Sequence, residues 1–481
     1  MRVLFILKET TMHERIGVMQ LSTALKLKKW EVKLVLAERL GLEALKDLVK
    51  AYSPEIIGYS AMTGEHIRLL DINRELKKSH DFIAAFGGPH ATFFPKLIEE
   101  NGCDAICIGE GDVSFLEFCK RVANKENYWE TPGFIVKQNG KIYNNPLMPL
   151  VEDLDLIPFP DRELMYAADP DLLKGSVKLF FSTRGCPHKC TYCFNEKYNT
   201  IHKGKGSVLR HRSPENLIEE IFQVKEKYPM AIVHIEDDTF LYKPEGWFEV
   251  FVKLYKEKIN LPFHCNFRAN KVNEEIVKLL KEAGLDSVTM GIECGNEKYS
   301  NTILKRNLKN ERIIEVCSIL KKYGLKIITT NLVGLPVPDS YEADLETLDL
   351  NIKIKPTFAL CSILYPYPGT PIESYAREKG LLTGEVKFLE TNKRTSFFNF
   401  SSPLEKRKIE NLHKLFGLLV EFGFLRRYAD LLCRLPLIRI YTGLFYFWYG
   451  YNFKIRIFPL ISFWSELHGY LLFWWKTIKK N

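Results

Sequence analysis

Three closely spaced cysteines carry the clearest chemistry in this chain of 481 residues. Cys186, Cys190 and Cys193 form a C-x3-C-x2-C pattern directly after the apolar, strand-like run 177–182. Three thiolates can each bind one iron of a four-iron, four-sulfur cubane, which leaves the fourth iron open to a small molecule. The spacing therefore predicts a 4Fe-4S cluster with one accessible iron.

A structural zinc site, or a chance group of cysteines, is the alternative interpretation of the same residues. A structural zinc ion is closed by four protein ligands. The nearest candidates for a fourth ligand are His188, inside the loop, and His202, in a stretch rich in lysine and glycine. The strand before the loop and the landmarks after it favour the cluster.

The cysteine loop resembles the signature of the radical S-adenosylmethionine enzymes. Tyr192, just before the last cysteine, occupies the family position that packs near the adenine. The resemblance implies that the open iron binds the methionyl amine and carboxylate of S-adenosylmethionine. It also implies that an electron from the cluster cleaves the sulfonium to a 5′-deoxyadenosyl radical, and that a flavodoxin- or ferredoxin-type protein donates this electron.

Composition limits where such a site can work. The chain has 11 cysteines, too few for a disulfide scaffold of this length, which favours a reduced, cytoplasmic site. It opens on a strand-like run rather than a secretory leader. The net charge of +9 includes no compact basic run with interleaved aromatic residues, so we expect no nucleic-acid partner. The length allows about three domains.

The first domain is predicted at residues 1–125, where short apolar runs alternate with segments of helical period. Such a pattern indicates an α/β fold with a doubly wound parallel sheet, Rossmann-like in character. The predicted strands are Arg2–Leu7, Glu31–Leu36, Glu55–Ser60, Phe82–Phe86 and Asp104–Ile108. The predicted helices are Val18–Lys29, Leu42–Ala51, Ile67–Ser79 and Phe93–Asn101.

Ligands of such sheets bind at the carboxyl ends of the strands. The candidate binding residues there are Ser60, Met62, Thr63, Gly87, Gly88, His90, Gly109, Glu110 and Gly111. A dinucleotide site is excluded because the turn 8–13 lacks the required G-x-G-x-x-G. The G-G-P-H-A-T and G-E-G-D patterns instead resemble the cobalamin-binding domain that precedes the radical domain in one large subfamily. A ligand-free Rossmann-like unit stays an alternative.

Cobalamin domains that supply a histidine to cobalt carry D-x-H-x-x-G after the first strand. The corresponding run 11–17 has no aspartate and a shifted glycine. We therefore expect cobalamin to bind without an axial histidine, His13 included. His90 is expected to border the nucleotide tail of the cofactor or to cap the next helix.

A connector at residues 126–169 is predicted to begin with a hairpin, turning at Asn139-Gly140. The radical S-adenosylmethionine domain follows at residues 170–400, with six further strand–helix units that indicate a partial, TIM-like (β/α)6 barrel open on one side. Its predicted strands are Val177–Ser182, Ala231–Glu236, Phe263–Arg268, Ser287–Ile292, Lys326–Leu332 and Thr357–Leu364.

Polar residues and one glycine end these strands, where barrel enzymes place their sites. The resemblance implies that they surround S-adenosylmethionine: Asp237, Asp238, Arg268, Glu293 and Gly334. Glu293 and Arg268 would hold ribose or methionyl charges, and Gly334 would let the chain approach the adenine. Because adjacent strand residues point in opposite directions, only one of the two aspartates is expected to face the ligand. No catalytic residue beyond the cofactors is required.

The C-terminal tail, residues 401–481, is predicted to be helical over Leu412–Leu435 and is then unusually aromatic. It contains four of the seven tryptophans, and Lys and Arg far outnumber Asp and Glu. The most apolar window, 457–475, is interrupted by Pro459, Glu466 and His468, which disfavours a membrane span. We expect a peripheral contact with the inner face of the membrane, and hence an apolar substrate. A helical cap on the open side of the barrel is the alternative.

The resemblance implies a cofactor set that removes hydrogen from an unactivated carbon and then supplies a methyl group. The leading hypothesis is therefore methylation of such a carbon on an apolar or lipid-like substrate, with two molecules of S-adenosylmethionine per turnover. Oxidative cyclisation or rearrangement is the alternative within the family. A cobalamin- or redox-responsive binding protein without turnover is the alternative from another class.

The axial ligand of cobalt gives a prediction that spectroscopy can check. The cob(II)alamin form of the protein should show an electron paramagnetic resonance spectrum without nitrogen splitting from an imidazole, because no histidine is placed to bind cobalt. His13→Ala should leave this spectrum unchanged. Imidazole splitting that disappears in His13→Ala would contradict the prediction.

Overall fold

The computed structural model describes residues 1–10, 14–386 and 395–458, which form two compact units. One unit contains residues 1–175 and 197–212, and the other contains residues 176–196, 213–386 and the described C-terminal residues. The predicted connector is thus part of the first unit, and the tail is part of the second. His13 lies outside the described residues, as does nearly all of the apolar window 457–475.

The strands of the first unit follow the apolar runs closely. They are β1 Arg2–Leu7, β2 Glu31–Leu36, β3 Ile56–Ser60, β4 Ile83–Gly87, β5 Ala105–Cys107, β6 Phe134–Gln138 and β7 Lys141–Asn144. The helices are α1 Ile16–Lys26, α2 Ala37–Leu40, α3 Leu42–Tyr52, α4 Glu65–Lys77, α5 Pro89–Phe93, α6 Gly111–Ala123, α7 Arg162–Ala168 and α8 Pro170–Lys174.

The sheet of the first unit has the order β2-β1-β3-β4-β5-β6-β7. Strands β1 to β5 are parallel, and β6 and β7 add an antiparallel hairpin whose turn residues Asn139 and Gly140 both have positive φ. Val3, Leu4 and Ile6 are fully buried, because helices cover both faces of a doubly wound sheet. The predicted fold is confirmed, and the predicted hairpin is present.

One predicted helix of this unit is wrong. Instead of a helix over Phe93–Asn101, the short helix α5 ends at Phe93, and a 3-10 turn follows at Pro95–Glu99. Pro95 explains the break, because proline has no N–H for the helical ladder and disfavours helical geometry in the residue before it.

The second unit begins with two short strands around the cysteine loop, β8 Val177–Phe180 and β9 Thr183–Arg184. Helix α9 Phe194–Ile201 runs from this unit into the segment 197–212 of the first unit, which also contains β10 Arg210–His211. The later strands are β11 Ile232–Ile235, β12 Phe263–Phe267, β13 Leu285–Glu293, β14 Lys326–Val333 and β15 Phe358–Ile363. The helices are α10 Pro214–Lys227, α11 Trp247–Leu254, α12 Glu274–Ala283, α13 Glu297–Thr302, α14 Asn310–Lys322, α15 Ser340–Ile354, α16 Pro371–Glu378, α17 Pro403–Glu421, α18 Ala429–Arg434 and α19 Ile438–Tyr451.

The strands β8, β11, β12, β13, β14 and β15 lie side by side in sequence order, and all pairs are parallel. This order is that of a partial (β/α) barrel, as predicted. Alternate residues such as Val233, Ile235 and Val288 pack against the outer helices in one large apolar core. The residues between them, among them His234, Thr289 and Thr330, are partly exposed toward the barrel interior, where the functional side chains gather.

The described part of the C-terminal tail caps the edge of the barrel. Helix α17 packs on β15 and α15, and its residues Ile409, Leu412 and Phe416 are fully buried. The predicted continuous helix over Leu412–Leu435 is wrong, because α17 ends at Glu421. At Gly423 a side chain would meet Ile352 at 3.0 Å, so the chain passes too close to α15 for a larger residue. No helix in the described part of the chain has the length and apolarity that crossing a bilayer requires.

The burial of α17 gives a prediction about stability. Leu412→Ala should lower the free energy of unfolding by about 2–5 kcal/mol, because it opens a cavity in the core between α17 and β15. Leu431→Ala, at an exposed position on α18, is the matched control and should change it by less than about 0.5 kcal/mol. Urea unfolding of both variants measures the difference, and equal stabilities would show that α17 is not part of the folded core.

Candidate active site

A buried ion pair fixes the start of the cysteine loop. Asp237, at the end of β11, accepts hydrogen bonds from the backbone N–H groups of Ser182, at 2.7 Å, and Thr183, at 3.0 Å. Its other oxygen lies 2.9 Å from Nζ of Lys243, and neither side chain is exposed. Lys243 also donates to the hydroxyl groups of Ser182 and Thr183. Asp237 therefore holds the loop, and its predicted role as a ligand of S-adenosylmethionine is corrected.

The three cysteines sit on this fixed loop as free thiols. Cys186 and Cys190 are buried, and Cys193 is half-buried. The backbone closes a turn from the N–H of Cys193 to the carbonyl of Cys190 at 3.1 Å. Burial raises the pKa of the Cys186 thiol to about 12 and that of Cys193 to about 11. These two thiols therefore need a bound cation to remain thiolates near neutral pH.

Two arginines supply positive charge beside the loop. Nη1 of Arg268, at the end of β12, lies 3.4 Å from Sγ of Cys190, and Nη1 of Arg306 lies 4.0 Å from the same sulfur. Both guanidinium groups are buried. Burial, followed by these two charges, lowers the pKa of His188 to about 4. The loop is thus electropositive, which suits an anionic group.

Arg306 also connects the loop to Glu293. It donates to the hydroxyl of Tyr192 at 2.9 Å and to the carbonyl of Gly291. Thr330 donates to the Glu293 carboxylate at 3.0 Å. Burial raises the pKa of Glu293, while Arg306 and the hydrogen bonds from Thr330 and Tyr192 oppose that shift.

Backbone geometry presents Glu293 to the barrel interior. Its φ is +67°, unusual for a residue other than glycine, and the pairing of β13 with β14 shifts between Gly291 and Glu293. A side chain at Gly291 would meet the Glu293 carboxylate at 2.7 Å. This local strain at a strand end is typical of functional sites.

The other predicted ligands of S-adenosylmethionine lie at the same strand ends. Asp238 is solvent-exposed, whereas Asp237 is fully buried, and nearby protein atoms raise the pKa of the Asp238 carboxyl. The two adjacent aspartates thus point in opposite directions. Gly334 is buried, and a side chain there would meet Ile409 of α17 at 3.1 Å. Its φ of +74° and its N–H bonds to Asp344 give it a structural role; its approach to the adenine stays a prediction.

The first unit brings its own predicted residues together at the ends of β3 and β4. Gly88 has a φ of +87°, and a side chain there would meet the carbonyl oxygen of Ala61 at 3.1 Å and the hydroxyl of Ser60 at 3.2 Å. Gly87 ends β4, and Met62 is exposed at the same edge. Because glycine has no side chain, a bulky ligand can approach the backbone closely at this edge of the sheet.

Two stacked histidines lie beside this edge. The rings of His66 and His90 are 3.5 Å apart and nearly parallel, and Nδ1 of His90 is 3.3 Å from the hydroxyl of Thr63. Burial lowers the pKa of His66 to about 4 and that of His90 to about 3, so both rings are neutral. Both line a cavity of about 340 Å³. His90 as a neighbour of the nucleotide tail stays a prediction that this cavity supports.

The space beside the third predicted loop, Gly109 to Gly111, is filled by other residues of the same unit. A side chain at Gly109 would meet Nε2 of His202 at 2.5 Å. The Glu110 carboxylate lies 2.6 Å from Nη2 of the buried Arg210. Gly111 begins α6. The returning segment 197–212 therefore accounts for Gly109 and Glu110, whose contact with cobalamin stays a prediction.

Comparison with known proteins identifies two domains. Residues 180–348 match the Radical SAM superfamily, and residues 4–118 match the B12 binding domain. The chain belongs to the cobalamin-dependent radical S-adenosylmethionine enzymes. Its cofactors are a 4Fe-4S cluster, S-adenosylmethionine and cobalamin, and it is a methyltransferase-family enzyme.

Curated relatives of this radical enzyme include methyltransferases. An uncharacterized methyltransferase of Pyrococcus horikoshii is 29% identical, covering 73% of this chain and 76% of its own. The cytidylyl-2-hydroxyethylphosphonate methyltransferase of Streptomyces wedmorensis is 25% identical, covering 62% and 61%. The hopanoid C-3 methylase of Methylococcus capsulatus is 24% identical, covering 72% and 65%. The chain thus spans less than two thirds of the last two relatives.

Two solved structures share the fold at low identity. The cobalamin-dependent radical enzyme OxsB superposes with a TM-score of 0.71 at 15% identity, over 94% of this chain and 71% of that one. The radical methyltransferase TsrM from Kitasatospora setae gives 0.63 at 17% identity, over 80% and 77%. The two-part architecture of the radical enzyme is therefore shared.

The residues of this chain fit the cluster and its ligand. Three side-chain nitrogens near the cysteines are buried without a hydrogen-bond partner: Nε of Arg268, Nε of Arg306 and Nε2 of His188. These nitrogens can therefore donate hydrogen bonds to an anionic group bound there. A cubane spreads its thiolates over separate irons, whereas zinc gathers its ligands on one ion. His202, a candidate zinc ligand, belongs to the other compact unit.

Sequence reasoning missed Arg306 and Lys243. Both are buried cations on loops. Lys243 lies eight residues after the end of β11, and Arg306 lies four residues after the end of the short helix α13. The loop positions gave no periodic signal. The signal that was available for Lys243 is Asp237 itself, since a buried carboxylate requires a cationic or hydrogen-bonding partner.

The cysteine loop gives a prediction that absorbance can check. Cys186→Ala, Cys190→Ala and Cys193→Ala should each abolish the iron–sulfur absorbance and the release of 5′-deoxyadenosine, because each removes the sole protein ligand of one iron. Cys265→Ala and Cys361→Ala, on barrel strands but facing the outer helices, are matched controls and should keep both. The same should hold for the remaining cysteines singly. A full cluster in Cys186→Ala would contradict the assignment.

Proposed function

We propose that this enzyme transfers a methyl group to an unactivated carbon of an apolar or lipid-like substrate. The observation that carries the proposal is the presence in one chain of an electropositive three-thiol loop and a glycine-lined cobalamin-type sheet edge. The relatives named as methyltransferases support methyl transfer. The names of these relatives include both a phosphonate conjugate and a hopanoid, so only this chain's own residues distinguish a substrate class.

The bound cofactors supply a radical that removes hydrogen from carbon and a methyl group that replaces it. Cys186, Cys190 and Cys193 would hold the cluster. Arg268 would bind the methionyl carboxylate, with Glu293 at the ribose or the methionyl amine. Asp238 would add a polar group to the same site. The buried groups around the site would keep most water out of it.

The interior of the barrel gives the substrate an apolar wall. Leu332 on β14 and Leu360 on β15 lie half-buried on the face opposite the outer core. Next to these two leucines, the same side of the barrel is closed by one buried apolar cluster, which contains Ile328, Phe358 and Ile457. Aliphatic and aromatic side chains of this kind bind hydrocarbon by excluding water from it, which supports an apolar substrate.

The proposal includes location and electron supply. A cytoplasmic protein of flavodoxin or ferredoxin type would reduce the cluster. Peripheral contact with the inner face of the membrane would give access to a lipid-like substrate, and the exposed apolar residues of the C-terminal helices support this contact.

The test uses the anaerobically reconstituted enzyme with lipid and pigment extracts and S-adenosylmethionine labelled in its methyl group. We expect an apolar product that carries the label, with 5′-deoxyadenosine and S-adenosylhomocysteine released in about equal amounts. Cys190→Ala should give neither, and Cys265→Ala should give both.

Two other outcomes would each replace the proposal. A product that loses hydrogen without gaining the label would assign oxidative cyclisation or rearrangement. Failure of the fully reconstituted protein to release any 5′-deoxyadenosine would assign a binding protein without turnover.

A further inference from the structure

Helix α19 is apolar on both of its faces. Tyr441 and Phe445 are buried against the rest of the unit. On the other side Ile440, Leu444, Phe447 and Tyr451 are 58%, 43%, 61% and 39% exposed. Their spacing of four, three and four residues places them in one stripe along the helix. A helix on the surface of a protein in water normally carries polar residues on that side.

The preceding turn and helix also expose apolar residues. Phe424 is 67% exposed and Leu431 is 60% exposed. The ring of Phe422 lies 6.3 Å from that of Phe424 and 6.1 Å from that of Trp448 on α19, so the two segments adjoin. We call Phe424, Leu431, Ile440, Leu444, Phe447 and Tyr451 the C-terminal apolar face. An exposed apolar surface of this extent is typical of an interaction site.

Charge distinguishes among the possible partners of this face. Residues 403–481 contain 13 Lys and Arg against 5 Asp and Glu, whereas the rest of the chain contains 55 against 54. Nearly the whole net charge of the protein is therefore in the segment that carries the C-terminal apolar face. Arg427 and Arg439 are exposed on it, and Arg427 lies over the ring of Tyr428 at 4.8 Å. Apolar residues among cations match the surface of a membrane with anionic lipid.

We propose that the C-terminal apolar face docks on an anionic lipid surface, with α19 lying in the plane of the membrane. At 1.5 Å per residue, the 14 residues of α19 extend about 21 Å, less than the roughly 30 Å of a hydrocarbon core. The helix therefore lies on the bilayer rather than through it. The proposal deepens the proposed function, because this surface is where a lipid-like substrate would be met, but docking itself requires no turnover.

The experiment is sedimentation of the full-length holoenzyme with vesicles. One set contains equal amounts of phosphatidylglycerol and phosphatidylcholine, and the other contains phosphatidylcholine alone. We expect binding to the anionic vesicles that weakens as salt rises, and weak binding to the neutral ones. Leu444→Ser and Phe447→Ser should each weaken binding about tenfold or more. Both positions are exposed, so the folded core is unchanged.

The matched control is Leu27→Ser, which removes a leucine that is 71% exposed from the first unit. It should bind vesicles as the parent does. Release of 5′-deoxyadenosine, measured on the same samples, separates the two proposals. A parent protein that releases it normally but does not bind the anionic vesicles overturns docking alone. A parent protein that binds the vesicles without releasing it overturns turnover alone.

Three results would overturn the docking proposal. Absence of binding by the full chain would mean that this face is covered by the chain's own residues 459–481. A dimer in sedimentation velocity that Phe447→Ser dissociates would assign the face to a second copy of the chain. Serine variants that bind vesicles as well as the parent would place any membrane contact elsewhere.

Discussion

The active site depends on one buried carboxylate. Asp237 binds two successive backbone N–H groups at the point where strand β8 becomes the cysteine loop, and Lys243 neutralises it. Removing two charges from water costs more than their attraction returns unless every remaining hydrogen bond is made. Here the carboxylate also accepts from the Ser182 hydroxyl, and the ammonium lies 4.9 Å from the ring of Trp247. These hydrogen bonds offset the cost of burying the pair, and they fix the conformation of the loop.

A defined loop matters because the chemistry around it is electrostatic. Burial raises the pKa of the Cys186 and Cys193 thiols, which disfavours the thiolates that bind iron, so positive charge beside the loop helps to stabilise them. Arg268 and Arg306 supply permanent positive charge beside Cys190, since an arginine side chain stays protonated in proteins. Through Tyr192 and Gly291, Arg306 also fixes the position of Glu293. The same guanidinium thus balances an anionic cluster and positions an acidic group for the ligand.

The strands could be predicted from the sequence because their apolar runs are short, continuous and separated by helices, and β1 and β2 match the predicted bounds fully. Side-chain roles were less predictable. Asp237 and Asp238 are chemically identical in the sequence, and only the register of β11 decides which of them braces the loop. Gly109 faces His202, ninety-three residues away in the chain, and nothing near either residue in the sequence indicates this contact. Long-range packing of this kind leaves no periodic signal near either residue.

The C-terminal residues follow the last strand of the barrel in the sequence, but in the structure they form part of the folded core. Strand β15 ends the barrel sheet, and an uncovered edge strand invites pairing with other chains. Helix α17 covers this side with three fully buried residues, Ile409, Leu412 and Phe416. A chain ended near Ser402 would therefore lose a core layer together with the C-terminal apolar face. The inner side of α19 then packs on α17, and its outer side stays apolar. Because one short helix serves both surfaces, only substitutions on its exposed stripe can separate a role in membrane contact from a role in folding.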